Sequence, residues 1–131
     1  MTQTEFINKV IGKPWSDRAC SFDMMDCWGL VVLYYRHVKR IELHHLPDYE
    51  SGSDFVTCHD AESDHWKTIP AAQVGDIAVF YQSGVPKHIG IIVSPGKCLH
   101  SRGESGCVMV DNVHSMRRLY NAVEYKKHGT L

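Results

Sequence analysis

The stretch Asp26-Cys27-Trp28-Gly29-Leu30-Val31-Val32-Leu33-Tyr34-Tyr35-Arg36 decides how this chain is read. Counted from Cys27, the residues Leu30, Val31, Tyr34, Tyr35 and Val38 fall at i+3, i+4, i+7, i+8 and i+11, which predicts one face of a helix running to about Arg40. Asp26 stands just before the pattern and suits an N-cap. Cys27 then lies in the first turn, where unpaired amides and the positive end of the helix dipole favour an anion. A free thiol has a pKa of about 8.5, and a helix start is expected to lower it toward the reactive thiolate. This is a place to build a nucleophile. The competing reading is a small buried apolar residue, a common use of cysteine.

Working outward, residues Glu5 to Ile11 carry Phe6, Ile7, Val10 and Ile11 at helical spacing and stop at Gly12-Lys13-Pro14. Trp15 to Met25 reads as irregular. His44 to Trp66 is polar, without period, and reads as a long surface loop. After Pro70 the pattern changes to short strands. Gly75 to Tyr81 and Lys87 to Val93 form a hairpin around Ser83-Gly84. Ser94-Pro95-Gly96-Lys97 is a turn, and Cys98-Leu99-His100, Val108-Met109-Val110 and Arg118 to Tyr125 are further strands. Helices first and antiparallel strands after them predict a single α+β domain over residues 1–131.

Period two divides the Lys87 to Val93 strand into Ile89, Ile91 and Val93 on a core face and His88, Gly90 and Ile92 on the other. Gly90 is expected to leave room for a helix end or a substrate backbone. The next strand carries His100 and Cys98 on one side and Leu99 opposite. Neighbouring strands bring side chains to about 5 Å, so His88 and His100 come within reach of each other. A cysteine nucleophile needs such a histidine, and a third group to orient it. Taken singly, each histidine reads more readily as a surface or hydrogen-bonded structural residue.

The 131-residue chain is 44% hydrophobic and 22% charged, with a formal net charge of −1. These values suit an ordinary globular domain and give none of the basic surface that nucleic-acid binding needs. No segment reaches membrane-spanning length, and the N-terminus lacks a secretory pattern. Five cysteines, odd in number and without a C-x-x-C pair, argue against a disulfide framework. His44, His45, Cys58, His59 and His65, with Asp60 and Asp64, fit no tight zinc spacing and read as a solvated loop, so no metal or other cofactor is expected.

Four motifs in order resemble the NlpC-type cell-wall cysteine peptidases. They are Asp26-Cys27-Trp28-Gly29-Leu30-Val31, Gly75-Asp76-Ile77-Ala78-Val79-Phe80, His88-Ile89-Gly90-Ile91-Ile92 and Leu99-His100-Ser101. The opening Ile11-Gly12-Lys13-Pro14-Trp15 looks most like the family's phage-tail branch. The resemblance implies a papain-like fold with N-terminal helices on an antiparallel sheet. It implies Cys27 as nucleophile, His88 as general base and His100 as its orienting partner. The substrates it implies are peptidoglycan stem peptides, cut between D-γ-glutamate and a diamino acid. Trp15 stands where many members carry a tyrosine that binds the oxyanion, and an indole N–H can still donate one hydrogen bond. Asp26 and Trp28 are further expected around the oxyanion and the substrate. The expected partners are stem peptides and other tail proteins, with no nucleic acid and no membrane insertion. The expected location is the host cytoplasm during assembly and then the virion tail. Two rivals share these residues: a tail-assembly protein that keeps the fold without the chemistry, and an amidase or acyltransferase.

Overall fold

The computed structural model describes residues 1–43, 65–103 and 106–130. Residues 44–64 of the loop expected at His44 to Trp66, with His44, His45, Cys58 and His59, lie outside the described residues. Helix α1 spans Gln3–Val10. Thr2 caps it reciprocally: its hydroxyl accepts from the Glu5 amide at 3.1 Å, while its own amide donates to the Glu5 carboxylate at 3.0 Å. Phe6 and Val10 on its inner face are buried.

Helix α2 spans Cys27–Tyr34, with the Asp26 carboxylate accepting from the Gly29 amide at 2.8 Å. The expectation of a single apolar face running to Arg40 is corrected here. All eight residues of α2 are buried, and the chain continues as a π-helical turn, Tyr35–Lys39, closed by Arg40 in the left-handed region at φ 59°. The run Cys27 to Tyr35 has no charged residue, so nothing in it needs solvent, and α2 becomes the central element of the core. Tyr34 donates to the Gln3 side chain at 2.7 Å, and the Tyr35 hydroxyl donates to the Gly75 carbonyl. These two phenols dock α2 on α1 and on the entry to the sheet.

Six strands follow: β1 Trp66–Ile69, β2 Ile77–Gln82, β3 Val85–Ser94, β4 Lys97–Ser101, β5 Val108–Asn112 and β6 Ala122–His128. A four-residue helix, α3, spans Val113–Met116. The sheet order is β1-β6-β2-β3-β4-β5, antiparallel at every described pair. The β2–β3 hairpin turns on Ser83 and Gly84, both at positive φ, which matches the twist of the flanking strands. β1 and α3 were not expected from the sequence. Trp66 belongs to a strand rather than to a loop, because β6 returns across the sheet and supplies its partner, Trp66 facing His128.

The two faces of the sheet are both covered. Ile77, Val79, Ile89, Ile91 and Leu99 pack against α1 and α2. Ala78, Phe80, Ile92 and Cys98 pack under Val113 and Met116 of α3. The alternation read from β3 is therefore real, and its second face is a smaller core. The result is the papain-like α+β arrangement, with helices packed on a six-stranded antiparallel sheet.

Candidate active site

Cys27 opens α2 at the sheet surface. The amides of Ile89, Trp28 and Cys27 point at its sulfur, and the side chain is 8% exposed. Pairing of β3 with β4 begins only at Ile91 against Leu99, so His88 and Ile89 precede that ladder, and the Ile89 amide is directed to sulfur. Ser101, the residue after His100, donates its hydroxyl to the Met25 carbonyl at 2.7 Å. That bond ties the end of β4 to the turn entering α2, and it fixes the cysteine against the histidine strands. Gly29 lets the Ala19 segment lie against the start of α2. A Cβ at this position would lie 2.1 Å from the Ala19 carbonyl oxygen.

His88 and His100 are both buried, and His88 Nε2 lies 2.8 Å from His100 Nδ1. On its far side His100 Nε2 lies 2.7 Å from the Asp111 carboxylate of β5. Tyr120 stacks parallel to the His88 ring, with centroids 5.8 Å apart and planes within 4°, and Phe80 flanks the same ring at 6.0 Å. Gly90 fills a different role from the one expected. The space beside it holds the Cys98 sulfur and His100 Cβ, which a Cβ on Gly90 would meet at 2.3 and 3.1 Å. It admits the neighbouring strand, not a substrate.

Electrostatics correct the expectation of a preformed thiolate. Burial pushes the Cys27 thiol well up, and the adjacent Asp26 carboxylate adds to the rise against the three amides. Burial, helped by His100, lowers His88 from 6.5 to about 3. Burial also lowers His100, against the opposing hydrogen bond to Asp111 and the charge of its carboxylate. Thiol and imidazole thus rest uncharged. The three amides at sulfur are worth less than the water it has lost.

Asp26 uses both carboxylate oxygens on the chain's own amides, Gly29 at 2.8 Å and Arg18 at 2.9 Å. It caps and braces the helix, and as an acceptor it has no hydrogen to offer an oxyanion. Trp28 is 1% exposed and packs in the main core, so it does not line a substrate groove. Trp15 is half-buried, and its amide donates to the Gly106 carbonyl at 3.0 Å. Asp111 and Tyr120 are site neighbours that sequence reading missed. Ending the strand at Val110 left out Asp111, although one further residue places it opposite Cys98, diagonal to His100. Tyr120 falls inside the strand expected at Arg118 to Tyr125, but that strand begins only at Ala122, and Tyr120 sits in the bend before it.

A cavity of about 250 Å³ opens beside the imidazoles, lined by His88, His100, Arg102, Asp111, Leu119 and Tyr120 among others. Among the described residues no group of three His, Cys, Asp or Glu side chains could hold a metal ion, and no described helix is long and apolar enough to cross a membrane.

A cysteine at a helix start, meeting the Ile89 amide of the strand that also carries His88 of a buried histidine pair, is the thiol-peptidase class of architecture. The NlpC/P60 family model matches residues 12–126, and the chain belongs to the NlpC/P60 family. Among solved structures, the NlpC/p60 domain of the peptidoglycan hydrolase SagA aligns with TM-score 0.63 at 20% identity, covering 94% of this chain and 92% of that one. NlpC2 from Trichomonas vaginalis aligns with TM-score 0.70 at 20% identity, over 95% of this chain and 44% of that one. An NLP/P60-family protein similar to lipoprotein from Staphylococcus aureus gives TM-score 0.65 at 18% identity, over 92% and 38%. The chain thus spans less than half the length of these last two. No match was found among curated proteins.

Proposed function

We propose that this chain is a cysteine peptidase that hydrolyses amide bonds in peptidoglycan stem peptides, between D-γ-glutamate and a diamino acid. The observation that carries the reading is the His88–His100 pair, 2.8 Å apart and buried beside the Ile89 amide that meets the Cys27 sulfur. SagA, with the same fold, is a peptidoglycan hydrolase, which supports the substrate class.

In this mechanism Cys27 attacks the scissile carbonyl as His88 takes its proton. The transfer and the attack occur together, because neither charge is favourable alone in the buried site. The Cys27 amide is assigned to the developing oxyanion, with the Trp15 indole N–H as its second donor by likeness to the family's tyrosine. His88 then gives its proton to the leaving amine, and an acyl-enzyme remains. A water deprotonated by His88 releases the acyl group. His100 orients His88 throughout. The phage-tail placement rests on the Ile11 to Trp15 opening and the Cys-Trp-Gly-Leu-Val form. It puts the chain in the host cytoplasm during assembly and then in the virion tail, beside other tail proteins.

Defined muropeptides, incubated with the protein and read by mass spectrometry, test the reading. Wild type should give two fragments that together gain one water, and Cys27→Ala should give none. Intact muropeptides with wild type, alongside particle yields that Cys27→Ala leaves unchanged, would favour the assembly-protein reading.

A further inference from the structure

The geometry points to Asp111 as a positioning residue that sets the direction of every proton in the site, making it a four-membered Cys27–His88–His100–Asp111 chain. This deepens the peptidase reading and rests on it for its purpose, but it is measurable without any substrate.

A carboxylate only accepts, so the 2.7 Å contact with Asp111 requires the hydrogen of neutral His100 to sit on Nε2. His100 Nδ1 then carries the lone pair. At 2.8 Å from it, His88 Nε2 must be the donor. Neutral His88 has one hydrogen, so its Nδ1 is left as the unprotonated nitrogen, the one free to take the thiol proton. The opposite arrangement would set the Asp111 oxygen against a lone pair at 2.7 Å, two acceptors with no hydrogen between them. With His100 alone as partner, both directions of the His88–His100 bond are equivalent, and one of them leaves an N–H where the base is needed. The carboxylate removes that ambiguity. It also faces the imidazolium charge that spreads to His100 once His88 is protonated. Asp111 touches neither thiol nor scissile bond, and it acts through His100.

Ring ¹⁵N chemical shifts of the wild-type protein at neutral pH should report Nε2–H tautomers for both His88 and His100. Asp111→Asn can turn its amide to donate to His100 Nε2, which reverses the chain and puts the His88 hydrogen on Nδ1. Iodoacetamide alkylation of Cys27 at pH 7, followed by peptide mapping, should then slow by about a hundredfold. Asp111→Glu, which keeps the carboxylate, should retain the wild-type tautomers and recover most of the rate. Wild-type His88 carrying its hydrogen on Nδ1 would overturn the inference, whether or not the variants fold. So would an Asp111→Asn protein with both tautomers unchanged and alkylation within twofold of wild type. Failure to cleave muropeptides would count against the peptidase reading and leave these tautomers as measured.

Discussion

Replacing His88 by glutamine should make the fold less sensitive to acid. The reason is linkage. His88 is lowered from 6.5 to about 3 in the folded protein, first by burial and then by its neighbour His100. In the unfolded chain it protonates near 6.5. Between those values the unfolded state holds a proton that the folded state does not, so stability is full above about pH 6.5 and declines as pH falls toward 3. The limit of the effect is about 5 kcal/mol, and about half of it falls between pH 7 and pH 4.5. That is a large fraction of a typical domain stability of about 5–15 kcal/mol. Glutamine cannot take the proton. Carboxylates titrate in both proteins, so the difference between the two reads the His88–His100 pair through the loss of His88. Urea denaturation at pH 7 and 4.5 gives four free energies. Wild type should lose about 2–3 kcal/mol more than His88→Gln over this interval. Equal losses would mean that His88 charges readily in the folded protein, and the neutral, buried pair would be refuted.

Three further outcomes follow from the same geometry. Gly29→Ala brings a methyl within 2.1 Å of a backbone oxygen that cannot rotate away, so a loss of about 3 kcal/mol is expected, read as a lowered thermal midpoint. Asp26→Asn removes the charge that helps push the Cys27 thiol up, so the pH profile of Cys27 alkylation should move to lower pH, with about 1 kcal/mol of stability lost as the Arg18 amide loses its acceptor. Trp15→Phe removes the indole N–H assigned to the oxyanion. It should cut kcat about tenfold to a hundredfold with little change in KM, and a change in KM alone would assign Trp15 to substrate binding instead.

Much of the site could be read from the chain because it is local. Asp26 as cap and Cys27 as first helical residue are neighbours in sequence, and the alternation around His88 and His100 follows from strand geometry. What escaped depends on contacts distant in sequence. The run Trp66 to Ile69 is too short and polar to declare a strand until β6 pairs with it. Trp28 could line a groove or fill a core, and only the packing of α1 and the sheet around α2 puts it inside. The π-helical turn at Tyr35–Lys39 has no signal in a 3.6-residue period. Helix-start chemistry alone suggested an easily ionised thiol, whereas the burial that opposes it is a property of the assembled fold. Asp111 was one residue past the end assigned to its strand.

The most direct test of the central claim is capture of the acyl-enzyme. Acid-quenched mixtures of the protein and a γ-D-glutamyl–diamino acid stem peptide, analysed by intact-mass and peptide-mapping spectrometry, should show the γ-glutamyl fragment on Cys27 as a hydroxylamine-labile thioester. His88→Gln should show none. Stem-peptide cleavage that persists in Cys27→Ala, or an acyl group found on any other residue, would contradict the account.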